Sequence, residues 1–127
     1  MSKRILSVNG NKAMHYLLQT IFENEYELVA VMDAYNAMRH LRTDRKIELI
    51  IVDVDFETEQ SWEMIHHIKT RRLHQIPVMV LTTSSNDMIK HKCYELGIDE
   101  VFFKPFNPVD LIAAVKSLNT ADVYNNL

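Results

Sequence analysis

Apolar runs that end on a polar residue alternate along this chain with stretches whose apolar positions recur at helical spacing. Arg4 to Val8 reads as a first strand, stopped by the turn signal Asn9-Gly10. Met14, Leu17, Leu18, Ile21 and Phe22 then follow the i, i+3, i+4, i+7, i+8 pattern of an amphipathic helix. Glu27 to Met32 is a second strand, polar at its start and so suited to a sheet edge. Ala34, Ala37, Met38 and Leu41 mark a second helix, with Asp33 placed to cap it. Leu49-Ile50-Ile51-Val52 shows no alternation, as expected of a strand buried on both faces, and it stops at Asp53. After the acidic loop Asp55-Phe56-Glu57-Thr58-Glu59, a third helix carries Trp62, Ile65 and Ile68 and is predicted to start close to Ser61.

Pro77 opens a fourth strand, Val78 to Leu81, which ends at Thr82. Ile89, Cys93 and Leu96 mark a fourth helix, and Gly97 supplies its C-cap. Val101 to Phe103 is a short fifth strand ending at Lys104-Pro105. The last helix uses Leu111, Ile112, Val115 and Leu118, with Asn107 as cap and Pro108 in its first turn. Beyond Leu118 the period is lost, so residues 119–127 are expected to form a polar tail to a domain spanning 1–118.

Strands that alternate with helices require βαβ crossovers, and hence a parallel sheet. Right-handed connections place that sheet between two helical layers. The expected α/β fold is a five-stranded parallel sheet in the order 2-1-3-4-5, a flavodoxin-like three-layer sandwich. A formal charge of -3 argues against a nucleic-acid footprint. The run Ile5-Leu6 is too short for a signal-peptide core or a membrane span, so a cytoplasmic protein without a membrane partner is expected. Cys93 is the only cysteine and falls on the apolar stripe of its helix, which reads as core. The histidines His15, His40, His66, His67, His74 and His91 have no partners at ligand spacing and read as solvated or boundary residues.

Parallel strands release their last residues along one edge, here Asn9, Asp53, Thr82 and Lys104. A carboxylate, a hydroxyl and an ammonium gathered there suit a phosphoryl group. The first can attack it, the second can donate to its oxygens, and the third can neutralise developing charge.

On these residues the chain resembles the receiver domain of two-component response regulators, over roughly residues 3–118. The resemblance rests on Asp53 after Leu-Ile-Ile-Val, Thr82 after Val78-Met79-Val80-Leu81, and Lys104-Pro105-Phe106 after Gly97-Ile98-Asp99-Glu100. It implies that Asp53 accepts a phosphoryl group from a sensor histidine kinase or phosphotransfer protein. Thr82 would be the switch hydroxyl and Lys104 the cation that pairs with the phosphoryl group, next to a proline bond that is usually cis. Output would pass through protein contacts of the fourth helix, fifth strand and fifth helix to a downstream target. A homodimer through the fourth or last helix is compatible with the pattern. A stand-alone receiver without enzymatic activity of its own is the resulting expectation.

Two departures bear on this. The family places two acidic residues after its first strand to hold Mg²⁺, and this chain has Asn9-Gly10 there. A carboxylate about 4 Å from a divalent ion attracts it by roughly 8 kcal/mol gross at an effective dielectric near 20, so even after desolvation the loss of two weakens binding. The remaining candidate metal ligands are Asp53, the backbone carbonyl of Asp55 and the amide of Asn9, with Glu57 lending charge from the acidic loop. Val101 stands where the family has its switch aromatic, and Ser61 where a glycine is common. These departures motivate an alternative: a pseudo-receiver, an interaction module that works without phosphorylation and with impaired magnesium binding. An enzyme or flavin site on the same fold lacks its glycine and hydroxyl pattern.

Overall fold

The computed structural model describes residues 3–71 and 75–125. Its elements, in chain order, are β1 (Lys3–Val8), α1 (Lys12–Phe22), β2 (Tyr26–Val31), α2 (Ala34–Thr43) and β3 (Ile47–Asp53). They continue with α3 (Thr58–Thr70), β4 (Val78–Thr82), α4 (Asp87–Leu96), β5 (Glu100–Phe103) and α5 (Pro108–Asn125). The strands pair in parallel, as the alternating pattern requires, and in the expected order β2-β1-β3-β4-β5. β3 is central, and every residue of its apolar run is buried.

The pleat divides that run between two cores. Ile50 and Val52 join Val78 and Val80 of β4 beneath Ala37, Leu41, Trp62, Ile65 and Cys93 on the side of α2, α3 and α4. Leu49 and Ile51 join Met79 and Leu81 beneath Leu18, Phe22, Leu111 and Val115 on the side of α1 and α5. Alternate side chains of one strand therefore serve opposite layers. Cys93 is in the core, where burial pushes its thiol pKa up.

Polar side chains fix where most of the helices begin. Asn11, Asp33 and Asn86 accept backbone N–H groups from Met14, Asn36 and Ile89 at the starts of α1, α2 and α4. Asn107 does the same for Val109 at the start of α5. Gly97 ends α4 in the left-handed region, with φ 68°.

Besides shifts of a residue at strand ends, the start of one helix differs from the expectation. α3 starts at Thr58 rather than near Ser61, behind Glu57, which has left-handed backbone (φ 48°) and makes no side-chain cap. Ser61 instead donates its hydroxyl to the carbonyl of Phe56 at 3.2 Å and so braces the acidic loop from within the first turn. Across the segment expected to be a polar tail, the backbone of α5 is helical to Asn125. Residues 126–127 lie outside the described residues, as does His74.

Candidate functional site

The register sets the heights of the strand ends. Asp53 pairs with Leu81, and Thr82 pairs with Phe103. Thr82 thus stands one step beyond Asp53, and Lys104 one step beyond Thr82. The ladder continues past β3, since the Val54 N–H donates to the Leu81 carbonyl at 3.1 Å. The Lys104 N–H donates to the Thr82 carbonyl at 2.9 Å, and the Lys104–Pro105 peptide is cis.

Asp53 and Lys104 meet. The Lys104 Nζ lies 2.6 Å from Asp53 Oδ2, with Asp53 only 6% exposed. Thr82 does not bond to Asp53 directly, and strand parity explains why. Asp53 continues the Leu49–Ile51 face of the sheet, while Thr82 continues the Val78–Val80 face. The hydroxyl instead donates to Asp55 Oδ1 at 2.7 Å.

Asp55 is the residue the sequence reading undervalued, having been assigned only a backbone carbonyl. Its side chain turns into the site and binds the other members together. Oδ2 accepts the Thr83 N–H at 2.8 Å and lies 2.9 Å from Lys104 Nζ. Its own N–H donates to Asp53 Oδ1 at 2.9 Å. The signal available beforehand was its height, two residues beyond Asp53 and so within reach of the end of β4.

Titration follows from these contacts. Burial pushes the Asp55 carboxyl upward, but hydrogen bonds from Lys104, Thr82 and the Thr83 N–H outweigh it and hold the pKa below the ordinary range. For Lys104, burial acts downward and is outweighed by Asp53 and Asp55, so its pKa is raised.

The residues after β1 take no part in this cluster. Asn9 is buried, its amide oxygen accepts the Asn11 N–H at 3.0 Å, and its amide nitrogen faces Ser7 Oγ at 3.4 Å. The oxygen expected to serve a metal ion is thus used within the turn. A Cβ on Gly10 would stand 2.6 Å from the Phe56 ring, which fills the space a side chain there would need. Space is what Gly10 provides; its φ is not in the left-handed region. An open cleft of about 450 Å³ lies over these groups, lined by Gly10, Asn11, Lys12, Asp53, Asp55, Phe56 and Lys104. Among the described residues, no group of three or more His, Cys, Asp or Glu side chains is placed to hold a metal ion.

The chain matches the response regulator receiver domain family over residues 5–116, and it belongs to that family. Among curated proteins, it is 30% identical over 118 residues to the regulatory protein VanRc of Enterococcus gallinarum. That match covers 92% of this chain and 50% of VanRc, so the chain spans about half the length of the curated relatives it matches. Among solved structures, it is similar to the phosphorylated cyanobacterial phytochrome response regulator RcpA, with 30% identity and a TM-score of 0.78, covering 93% of this chain and 91% of that one. A Mn²⁺-bound form of response regulator Rcp1 matches at 30% identity and a TM-score of 0.76, covering 93% and 92%.

Receiver domains are generally non-enzymatic signalling modules of two-component systems, and they interact with histidine kinases or phosphotransfer proteins. They typically bind Mg²⁺. No described helix of this chain is long and apolar enough to cross a membrane.

Proposed function

We propose that this receiver is a phosphoacceptor in a histidine–aspartate relay, with Asp53 taking the phosphoryl group. The observation that carries this reading is the 2.6 Å approach of Lys104 to a buried strand-end carboxylate that faces an open cleft. In the transfer, the phosphorus–nitrogen bond of a partner's phosphohistidine breaks and a phosphorus–oxygen bond to Asp53 forms. The leaving imidazole picks up a proton. Lys104 neutralises charge on the phosphoryl oxygens, and the low exposure of the pair strengthens that interaction relative to water. Thr82 gives up Asp55 to donate to the new group, and this exchange supplies the conformational signal read by a downstream protein.

Magnesium fits this site poorly in the arrangement described. Of the three oxygen sources expected, the Asn9 amide is engaged by Asn11 and the Asp53 carboxylate by Lys104; the third is the backbone carbonyl of Asp55, whose side chain shares the same ammonium. Hard cations bind according to ligand charge and number, so a weakened site follows.

Intact mass after incubation with acetyl phosphate tests the assignment. One phosphoryl adduct that disappears in Asp53→Asn is expected. An adduct that survives the substitution moves the acceptor elsewhere, and no adduct in any buffer favours an interaction module that works without phosphorylation.

A further inference from the structure

The cleft holds a second cation that the relay reading leaves unused. Lys12, the first residue of α1, lines the same cavity as Asp53, Asp55 and Lys104. Among the described residues it makes no ion pair, whereas Lys104 is held between two carboxylates. Gly10 contributes no side chain, and the Phe56 ring covers the ground where one would stand. After β1 the cleft is therefore lined by a lysine and by no carboxylate, and the Phe56 ring stands where a side chain at position 10 would begin. Asp53, Asp55, Lys12 and Lys104 are the charged residues that line the cavity, so the formal charge of its lining is balanced before any ion enters.

We propose that the cleft takes the phosphoryl group without a divalent cation, with Lys12 and Lys104 supplying the two positive charges. This rests on Asp53 being the acceptor and adds how the transferred group is held. An incoming phosphoryl dianion brings negative charge to a balanced site, and Lys12 is the cation free to meet it. Lys104 turns from the carboxylate of Asp53 to the new oxygens on that same side chain. The ligand class is a tetrahedral oxyanion carried on a good leaving group, an acyl phosphate or a phosphohistidine.

The test follows adduct formation by intact mass with acetyl phosphate, in magnesium and in excess EDTA, and titrates magnesium into the protein by calorimetry. Comparable rates in the two buffers are expected, with no saturable magnesium binding in the millimolar range. Lys12→Gln should slow adduct formation in EDTA by about tenfold or more while leaving the melting curve in place. Gly10→Asp combined with Phe56→Ala should gain magnesium binding that Gly10→Asp alone gains less well. An adduct seen only with magnesium, or a Lys12→Gln rate equal to wild type, overturns the proposal while leaving Asp53 as acceptor. An adduct in neither buffer overturns both, and that outcome is distinguishable from the first.

Discussion

Two ends of the same sheet each hold a cation between two carboxylates. At the amino end, Arg4 bridges Asp44 and Glu27. At the carboxyl end, Lys104 bridges Asp53 and Asp55. The chemistry is alike and the surroundings differ. The Glu27 side chain is 54% exposed, whereas that of Asp53 is 6% exposed. The upper cluster opens into a cleft with a further lysine and is tied to a strand-end hydroxyl, while the lower one fastens β1 to β2 and to the turn before β3. An ion triplet becomes a candidate reaction site through its place at the strand ends, where loops part to leave a crevice.

Substitution of the two cations separates these roles. Lys104→Met is expected to slow adduct formation on Asp53 by about a hundredfold or more, as loss of a charge-stabilising group does. It should also lower stability by about 1–2 kcal/mol in urea unfolding, because it leaves two partly buried carboxylates together without a counterion. Arg4→Met should reduce stability without changing the adduct rate. If both variants slow phosphorylation alike, the comparison fails.

Packing over the upper cluster gives a smaller effect. Gly10→Ala should cost about 1 kcal/mol, because its Cβ meets the Phe56 ring, and Phe56→Ala should relieve most of that cost in the double variant. Equal costs in the two backgrounds would show that the ring stands elsewhere.

The pH dependence sharpens the contrast further. The depressed Asp55 pKa stabilises the fold above the ordinary carboxylate range, and that contribution is lost as pH falls through the lower folded value. The raised Lys104 pKa stabilises the fold below the ordinary lysine range, and that contribution is lost as pH rises through the higher folded value. Thermal melts of Asp55→Ala should therefore lose part of the acid-side dependence seen in the wild type. Smallest of all, Glu57→Gly should raise stability by about 0.5 kcal/mol, since glycine adopts the left-handed backbone there without strain.

The sheet order and the core were legible because buried strands and amphipathic helices repeat at different periods. Leu49 to Val52 and the Leu111–Val115 stripe announce themselves in this way. The start of α3 was not legible, because Glu57 enters the helix through backbone conformation with no capping side chain to mark it. The meeting of Asp53 with Lys104 followed from strand ends sharing a rim. The side-chain role of Asp55, and Phe56 and Lys12 altogether, escaped because these residues lie past the strands, in a loop or at the first turn of a helix. No period there dictates which way a side chain turns. The turn contact of Asn9 was hidden for a related reason: a short amide there can accept from its own backbone two residues on.

The central claim is that Asp53, held against Lys104 at the end of β3, is the group that accepts phosphate. Intact mass spectrometry of wild type and Asp53→Asn after the same exposure to acetyl phosphate tests it most directly. A single phosphoryl adduct on wild type, absent from the variant, is the predicted result. An equal adduct on both proteins contradicts the claim.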